Sequence, residues 1–306
     1  MTPRAAAAPV GQLRPVPRRV TANPKVGLGL ALLALFALLA LAHPVLMATV
    51  WRAREAVYLP ETGYDREVLH PSGPSSAHLL GTDSLGRDVV SLLTFAARPT
   101  LVVAVVVAAT VGVVAVAAGA VAAYWRGPVD GFVTHVADAL VLIPPPIAMV
   151  VVGVGRPDFG PGELGLLYGL LYGLGPAALV VRSHALTVMA KPFVDAARAG
   201  GGGSWWIIRA HVIPHLLPLA AVQMMAGVTG AVVTEGFVEF LGAAETRVGF
   251  GSLVYSALAY QTMLLTGVAW SVLLTGSLAI SLLCAAFYLL SVGFREELDP
   301  REALGT

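Results

Sequence analysis

Six stretches of this chain are apolar and long enough to cross a lipid bilayer, and this constrains the fold more than any other feature. A spanning helix needs about 20 mostly apolar residues, because lipid offers no partners to unsatisfied backbone groups. The runs are Val26–Val50, Thr100–Tyr124, Phe132–Val154, Gly165–Val181, Leu216–Ala243 and Trp270–Val292. Charged residues make up 12% of the chain, against about 25% in soluble domains. The sequence therefore predicts an all-α, polytopic membrane protein with about six transmembrane helices.

The first run has an alternative interpretation as a signal peptide, because Ala40-Leu41-Ala42 resembles a cleavage site. The apolar run continues past that site, which favours a retained span. Lys and Arg indicate the orientation, since cytoplasmic segments carry an excess of them. With the N-terminus inside, twelve of the 19 lie in inner segments and seven in outer ones. We therefore expect both termini in the cytoplasm.

These spans divide the chain into five segments. We expect residues 1–24, rich in Ala, Pro and Arg, to be a disordered cytoplasmic tail, followed by the first span at 25–51. Residues 52–99 are rich in Pro and Gly and form an extracytoplasmic loop with ordered surface structure. Residues 100–293 form a core of five spans with a cytoplasmic loop at 186–214, and residues 294–306 form a cytoplasmic tail.

A short amphipathic insert, residues 195–214, separates the fourth and fifth spans and is called the knob below. Asp195–Ala199 reads as a short helix, and Gly200–Gly203 must end or turn it, since each glycine costs about 1 kcal/mol in a helix. Ser204 is then expected to cap a second helix, and Pro214 to close the unit. Two short helices at an angle protrude from the membrane surface, which suggests docking to another protein.

Two carboxylates lie within the fifth span. Glu235 and Glu239 are four residues apart, on one helical face. A charge at the bilayer centre costs roughly 2.5–3.5 kcal/mol on insertion scales, so such groups tend to face a cavity or a partner. One interpretation is a polar wall of a transport path that attracts a cationic or amino-terminal group. The other is a pair near the outer interface, hydrated or hydrogen-bonded to neighbouring helices.

The third span contains an acidic residue and a proline run. Asp138 precedes Pro144-Pro145-Pro146, which must kink or interrupt the helix. Such a break is tolerated against protein or a water-filled cavity, so we expect it to line the bundle interior. Asp138 either pairs with His135 or the helix end, or takes part in transport coupling.

The fourth span contains a short tandem repeat, Gly165-Leu-Leu-Tyr-Gly169-Leu-Leu-Tyr-Gly173. Its glycines lie on one face of the helix and permit close approach of a neighbouring helix.

Several signatures of catalysis are missing from the sequence. No phosphate-binding loop ending in Gly-Lys-[Ser/Thr] occurs, so we expect no ATP hydrolysis by this chain. No His-Glu-x-x-His pair and no Gly-x-Ser-x-Gly elbow is present, which argues against a metal site or an enzyme. The single Cys284 excludes an intrachain disulfide, and no basic run with interleaved aromatics indicates a nucleic-acid surface.

Four segments resemble the second permease of the dipeptide/oligopeptide/nickel group of binding-protein-dependent ABC importers. Before the second span, the signature-like segment contains Gly81, Thr82, Asp83, Gly86, Arg87 and Asp88. In the third span, Asp138 and Pro144 match an Asp-x5-Pro pattern. Residues matching or flanking the ATPase-coupling loop of this group are Arg182, Phe193, Asp195, Ala196, Ala197, Arg198, Gly201, His211 and Pro214. At the far end, Gly293, Arg295 and Leu298-Asp299-Pro300-Arg301 resemble the characteristic ending.

Some positions depart from that pattern. Asp195 stands in place of the usual Glu, His211 in place of Ile, and Ile213 in place of Leu. Glu239 stands where small polar residues are common. These changes preserve the backbone pattern of the knob and leave the substrate open.

The resemblance implies a type I ABC importer permease in a bacterial inner membrane. The knob would insert into a groove on one of two cytoplasmic ATP-binding subunits, which would hold ATP and Mg, and this chain would bind no cofactor. A homologous permease would complete the pore as a heterodimer surrounded by lipid. An external substrate-binding protein would deliver a small peptide or similar solute near Thr82–Asp88. The structural alternative for that segment is an interfacial turn held by Asp83–Arg87 hydrogen bonds.

Three alternatives stay open at this point. The cargo of the same kind of importer could be nickel or another metal chelate. A proton-coupled secondary transporter could use Glu235, Glu239 and Asp138 as relays and would not need the knob. A membrane hydrolase lacks any nucleophile–base arrangement in this sequence.

Overall fold

The computed structural model describes residues 23–156, 158–241, 248–259, 267 and 269–298. Within these ranges the regular elements are helices, apart from one isolated β-bridge between Thr82 and Asp88. The helices are α1 Pro24–Ala48, α2 Glu55–Tyr58, α3 Val89–Trp125, α4 Pro128–Val141, α5 Pro145–Gly155, α6 Pro161–Tyr172, α7 Ala178–Met189, α8 Pro192–Ala199, α9 Ser204–Ile207, α10 Ile213–Phe240, α11 Phe250–Ala259 and α12 Ala269–Leu298. The predicted all-α class is confirmed.

Five helical stretches are long and apolar enough to cross a membrane. They are Pro24–Ala48, Val89–Trp125, Pro161–Met189, Ser204–Phe240 and Trp270–Glu296. The pair α4 and α5 forms a sixth candidate, bent by 77°. The prediction of about six spans is therefore confirmed.

The predicted proline break lies between α4 and α5. Pro145 and Pro146 occupy the first positions of α5, where a helix has no use for the missing N–H groups. The break does not line the interior of this chain as we expected: Leu142 is 81% exposed and Pro144 is exposed. Because the prolines begin a new helix without losing hydrogen bonds, they need no enclosing protein from the same chain.

Helix α3 is the centre of the bundle and packs against α1, α6, α7 and α10. Its 37 residues correspond to about 55 Å, well beyond the roughly 30 Å hydrocarbon core. It begins at Val89 rather than at the predicted Thr100, so residues 89–99 belong to the helix and not to the loop. Asp88 caps this early start by accepting the N–H of Ser91 at 2.7 Å.

Glycines allow α6 and α7 to approach α3 closely. A Cβ on Gly165 would lie 3.0 Å from Val106, and one on Gly169 would lie 2.7 Å from Thr110. Gly119 of α3 contributes from the other side, since its Cβ would lie 2.7 Å from Val181. The packing role predicted for the glycine repeat is confirmed.

Helix α1 is an integral part of the bundle. A Cβ on Gly29 would lie 2.8 Å from the carbonyl of Ala286 in α12. Lys25 forms an ion pair with Glu296, and Asn23 donates to the same carboxylate at 3.2 Å. These contacts favour a retained span over a signal peptide, and they place the start of α1 and the end of α12 at one end of the bundle.

The knob lies at that same end. Helix α3 runs antiparallel to α1 and finishes at Trp125, whose ring meets Trp205 of the knob at 5.1 Å. We call this the knob end, and the opposite end, which carries residues 49–88, the loop end.

One helix was not anticipated. Helix α11 has ten residues and packs against α10 and α12, with the Phe250 ring 5.9 Å from Phe36 of α1. It is too short to cross a bilayer. A search for spanning runs therefore overlooks it.

The α3–α7 seam predicts a difference between two glycine substitutions. Gly119→Ala places a methyl 2.7 Å from Val181 and 2.8 Å from the Arg182 nitrogen, and overpacking of this kind costs about 1–3 kcal/mol. In Gly27→Ala of α1 the added methyl has no atom within 4 Å, so the only effect on stability is the gain of up to about 1 kcal/mol from the higher helix propensity of alanine. We expect the melting temperature in detergent to fall for Gly119→Ala and not for Gly27→Ala. Equal melting temperatures would contradict this packing.

Candidate coupling and pathway sites

The first helix of the knob begins earlier than predicted. Helix α8 starts at Pro192, which suits the first helical position, rather than at Asp195. Asp195 therefore lies in the first turn, where the helix dipole stabilises a negative charge. Its Oδ1 lies 3.5 Å from Nη1 of Arg198, so Asp195 pairs with a basic group within its own helix.

Glycine is required at the turn of the knob. Gly201 has φ +82°, a left-handed conformation that glycine adopts without steric cost. The N–H groups of Gly201 and Gly202 donate to the carbonyls of Arg198 and Ala197, both at 3.0 Å, and so close the end of α8. A Cβ on Gly202 would lie 2.9 Å from the ring of Trp206. Glycine is thus required at position 201 by the backbone angle and at position 202 by the close contact with Trp206.

Two predictions about the second half of the knob are wrong. Ser204 makes no capping hydrogen bond, because Gly203 occupies the cap position and Ser204 is already helical. Pro214 does not close the unit, because helix continues from Ser204 to Phe240. A π-helical turn at Ile208–Val212 shifts the hydrogen-bond pattern just before Pro214, and the proline is accommodated in the first turn of α10.

The knob is anchored to the end of α3 and exposed on its other side. The guanidinium of Arg198 lies 5.4 Å from the centre of the Tyr124 ring, and Ile207 is buried. Trp205 and Trp206 are 67% and 55% exposed, and Ala196 of α8 is also exposed. The knob thus presents large aromatic side chains on its exposed side.

His211 packs as an apolar side chain would. Its ring lies 4.7 Å from Trp206 and 6.2 Å from Phe193, in edge-on and tilted contacts. This explains how a histidine occupies the position where the resembling group has Ile.

At the loop end, the signature-like segment forms a tight turn around one buried carboxylate. Oδ1 of Asp83 accepts the N–H groups of Leu85 and Arg87 at 3.0 and 2.9 Å. Oδ2 accepts Nε and Nη2 of Arg87 at 2.8 and 2.6 Å. Gly81 and Gly86 have φ values of +82° and +84°, as a compact turn requires. The Asp83–Arg87 hydrogen bonds that were the structural alternative are therefore present.

A buried polar network fixes this turn to α3, and the sequence did not reveal it. His78 is fully buried, with Nδ1 2.9 Å from Asp88 and Nε2 3.3 Å from Asp65. Arg54 donates to Asp65 at 3.0 Å. The Glu67 backbone N–H holds the pKa of Asp65 below its ordinary value, whereas burial raises the pKa of Asp88. Asp65 is thus the carboxylate that stays ionised to lower pH.

Thr82 completes the same region. Its side chain is fully buried, and Oγ1 accepts the N–H of Ser72 at 2.9 Å. The residues of the signature-like segment therefore act together as a rigid unit of the loop end.

We predict that Asp83→Ala loosens this turn. It removes four hydrogen bonds to a charged acceptor, each worth about 1.5–3 kcal/mol. Hydrogen exchange of the Leu85 and Arg87 amides should accelerate by at least about tenfold. The matched control is Glu67→Ala, whose side chain is 80% exposed in an ion pair with Arg54, an arrangement worth about 0–1 kcal/mol. Similar exchange rates in the two variants would refute the turn's dependence on Asp83.

A cavity of about 390 Å³ lies at the loop end, between α3, α6 and α10. Its charged lining residues are Glu61, Arg98, Glu235 and Glu239. Its apolar lining residues are Phe95, Pro99, Val102, Pro161, Leu164, Val238 and Val248. Both carboxylates of α10 are buried, at 4% and 7% exposure, and Glu239 also accepts the N–H of Gly251 at 2.9 Å. The structure combines the two interpretations of the sequence: Glu235 and Glu239 both line a cavity, and Glu239 is also hydrogen-bonded to a neighbouring helix.

Asp138 and Pro144 do not line this cavity. Asp138 is exposed on α4, and His135 contacts the carbonyl of Gly131 instead of Asp138. Helix α4 is held to α7 by a bidentate pair between Asp130 and Arg182, with Nη2 2.6 Å from Oδ2. The structure therefore separates Asp138 from Glu235 and Glu239.

Residues 115–303 match the family described as binding-protein-dependent transport system inner membrane component. The chain belongs to this family. It is a permease subunit of a binding-protein-dependent transport system, as the resemblance implied.

Individual relatives agree with that assignment. The dipeptide transport system permease protein DppC of Escherichia coli K12 is 30% identical over 264 residues, covering 84% of this chain and 85% of that protein. DppC of Bacillus subtilis is 31% identical over 229 residues, covering 74% and 70%. The glutathione transport system permease protein GsiD of Pectobacterium atrosepticum is 28% identical over 255 residues, covering 82% and 81%.

Proposed function

We propose that this chain is the permease through which an ATP-driven importer passes di- or oligopeptides or similar small solutes. The relatives named for dipeptide and glutathione transport support this cargo class. The observation that carries the proposal is the knob, which exposes Trp205, Trp206 and the glycine turn at Gly201 at one end of the bundle. A homologous permease pairs with this chain as a heterodimer in the bacterial cytoplasmic membrane.

In this proposal the knob receives force from two separate cytoplasmic ATP-binding subunits, which hold ATP and Mg. Ala196 and Gly201 are small and exposed, so a groove can approach the backbone closely. The knob is continuous with α10 through the π-helical turn. Displacement of the knob therefore passes directly to the helix that carries Glu235 and Glu239, which rocks the pathway between inward-open and outward-open states.

The excess of Lys and Arg supports a cytoplasmic location for the knob end and for both termini of the chain. The loop end then faces outward. The rigid Thr82–Asp88 turn offers a preformed surface near which an external substrate-binding protein delivers its cargo.

We predict that Gly201→Glu abolishes ATP-driven uptake while the protein still inserts. The substitution adds a charge and a strained backbone at φ +82° on the docking surface. Gly127→Glu is the matched control, because Gly127 also has positive φ and open space but lies outside the knob. The measurement is dipeptide uptake, together with copurification of the ATP-binding subunits.

Retained uptake and copurification in Gly201→Glu would count against the knob as the coupling element. Energy depletion separates the other class of transporter. Uptake that stops with a protonophore but survives ATP depletion would indicate proton coupling instead.

A further inference from the structure

The loop-end cavity has the size and lining of a small-molecule site. Its volume of about 390 Å³ falls within the usual range of about 300–1,000 Å³. Most of the lining is apolar, with a few convergent charged groups from α3, α10 and the loop. Among the lining residues that the structure describes, the three carboxylates of Glu61, Glu235 and Glu239 accompany the guanidinium of Arg98, and this excess of negative charge favours a cationic group.

The two buried carboxylates of α10 have different surroundings. Glu239 accepts the N–H of Gly251 at 2.9 Å and packs against Gly249, where a Cβ would collide with its carboxylate. It thus lies at the start of α11, where an anion is favoured by the helix N-terminus. Glu239 is accordingly a positioning residue that holds α11 against α10.

Glu235 lies one turn earlier on the same face of α10 and lines the same cavity. On α3, Pro99 has no N–H to give to the carbonyl of Phe95, and both residues line the same cavity as Glu235. An ammonium group has three donors and no acceptor, so carboxylates and carbonyls are its natural partners. The exposed Arg98 at the same cavity can attract a carboxylate, so a zwitterion is not repelled.

We propose that this cavity binds the passing solute through a protonated amino group, with Glu235 as its principal ligand. This rests on the proposed function, and it narrows the cargo to solutes with a free primary amine. The apolar lining accommodates the remainder of the solute.

The test is direct binding to the assembled importer in lipid nanodiscs, measured by calorimetry. The probes are alanyl-alanine and N-acetyl-alanyl-alanine, which differ in the cationic amine. We expect alanyl-alanine, which has the free amine, to bind at least about tenfold more tightly than the acetylated probe, because only its ammonium group can form a charge-assisted hydrogen bond with a carboxylate. Glu235→Gln should bring the ratio of the two Kd values close to one. Glu163→Gln should preserve the ratio, because Glu163 is an exposed carboxylate at the start of α6 that does not line the cavity.

Equal Kd values in the wild type, or binding of neither probe, would overturn the proposal without reference to any variant. A ratio that survives in Glu235→Gln would overturn the role of that residue. If the wild type binds alanyl-alanine more tightly but shows no ATP-driven uptake, the proposed function is contradicted and the binding role of the cavity is not.

Discussion

Close backbone approach along α3 is the interaction on which the rest of the structure depends. Within a bilayer, helices gain little from burying apolar surface, so packing at short distance must hold them together. Gly119, Gly165 and Gly169 provide that distance against α6 and α7. Because α3 is longer than the hydrocarbon core is thick, the same helix reaches the knob at one end and the polar network at the other. A single packed element thereby sets the relative positions of both surfaces.

The two ends of the bundle have opposite mechanical character. At the loop end, Asp83 and His78 are fully buried and surrounded by hydrogen bonds, which produces a rigid turn. At the knob end, an exposed glycine turn leads into a π-helical turn and then into α10. The proposed function uses this contrast, with the hydrogen-bonded turn as the surface that receives the external binding protein and the knob as a lever joined to α10. The hydrogen bond from Gly251 to Glu239 extends that connection to α11.

The features predicted correctly from sequence depend on local composition. Apolar runs, the proline break after Asp138 and the glycine turn at Gly201 each follow from properties of neighbouring residues. Helix ends were less accurate: α3 began early because Asp88 caps it, and Pro214 was tolerated because a π-helical turn precedes it. The structure of the N-terminal tail and of Asp299–Arg301 lies outside the described residues.

The missed features depend on contacts between distant residues. Asp65, His78 and Asp88 are separated by irregular spacings that match no pattern, and the chain must fold before they meet. Arg98 belongs to no recognisable motif, and only the folded structure places it in the lining of the same cavity as Glu235.

The central claim is that the knob lies on a nucleotide-driven partner, and thiol crosslinking tests it most directly. With Cys284 replaced by Ser, a cysteine at exposed Ala196 and a control cysteine at exposed Ser76 of the loop end can each be treated with a bifunctional reagent. The membranes should contain the coexpressed ATP-binding subunits. We expect Ala196→Cys, and not Ser76→Cys, to crosslink to an ATP-binding subunit, with a yield that changes when ATP is added. Crosslinking from Ser76→Cys alone, or from neither position, would contradict the account.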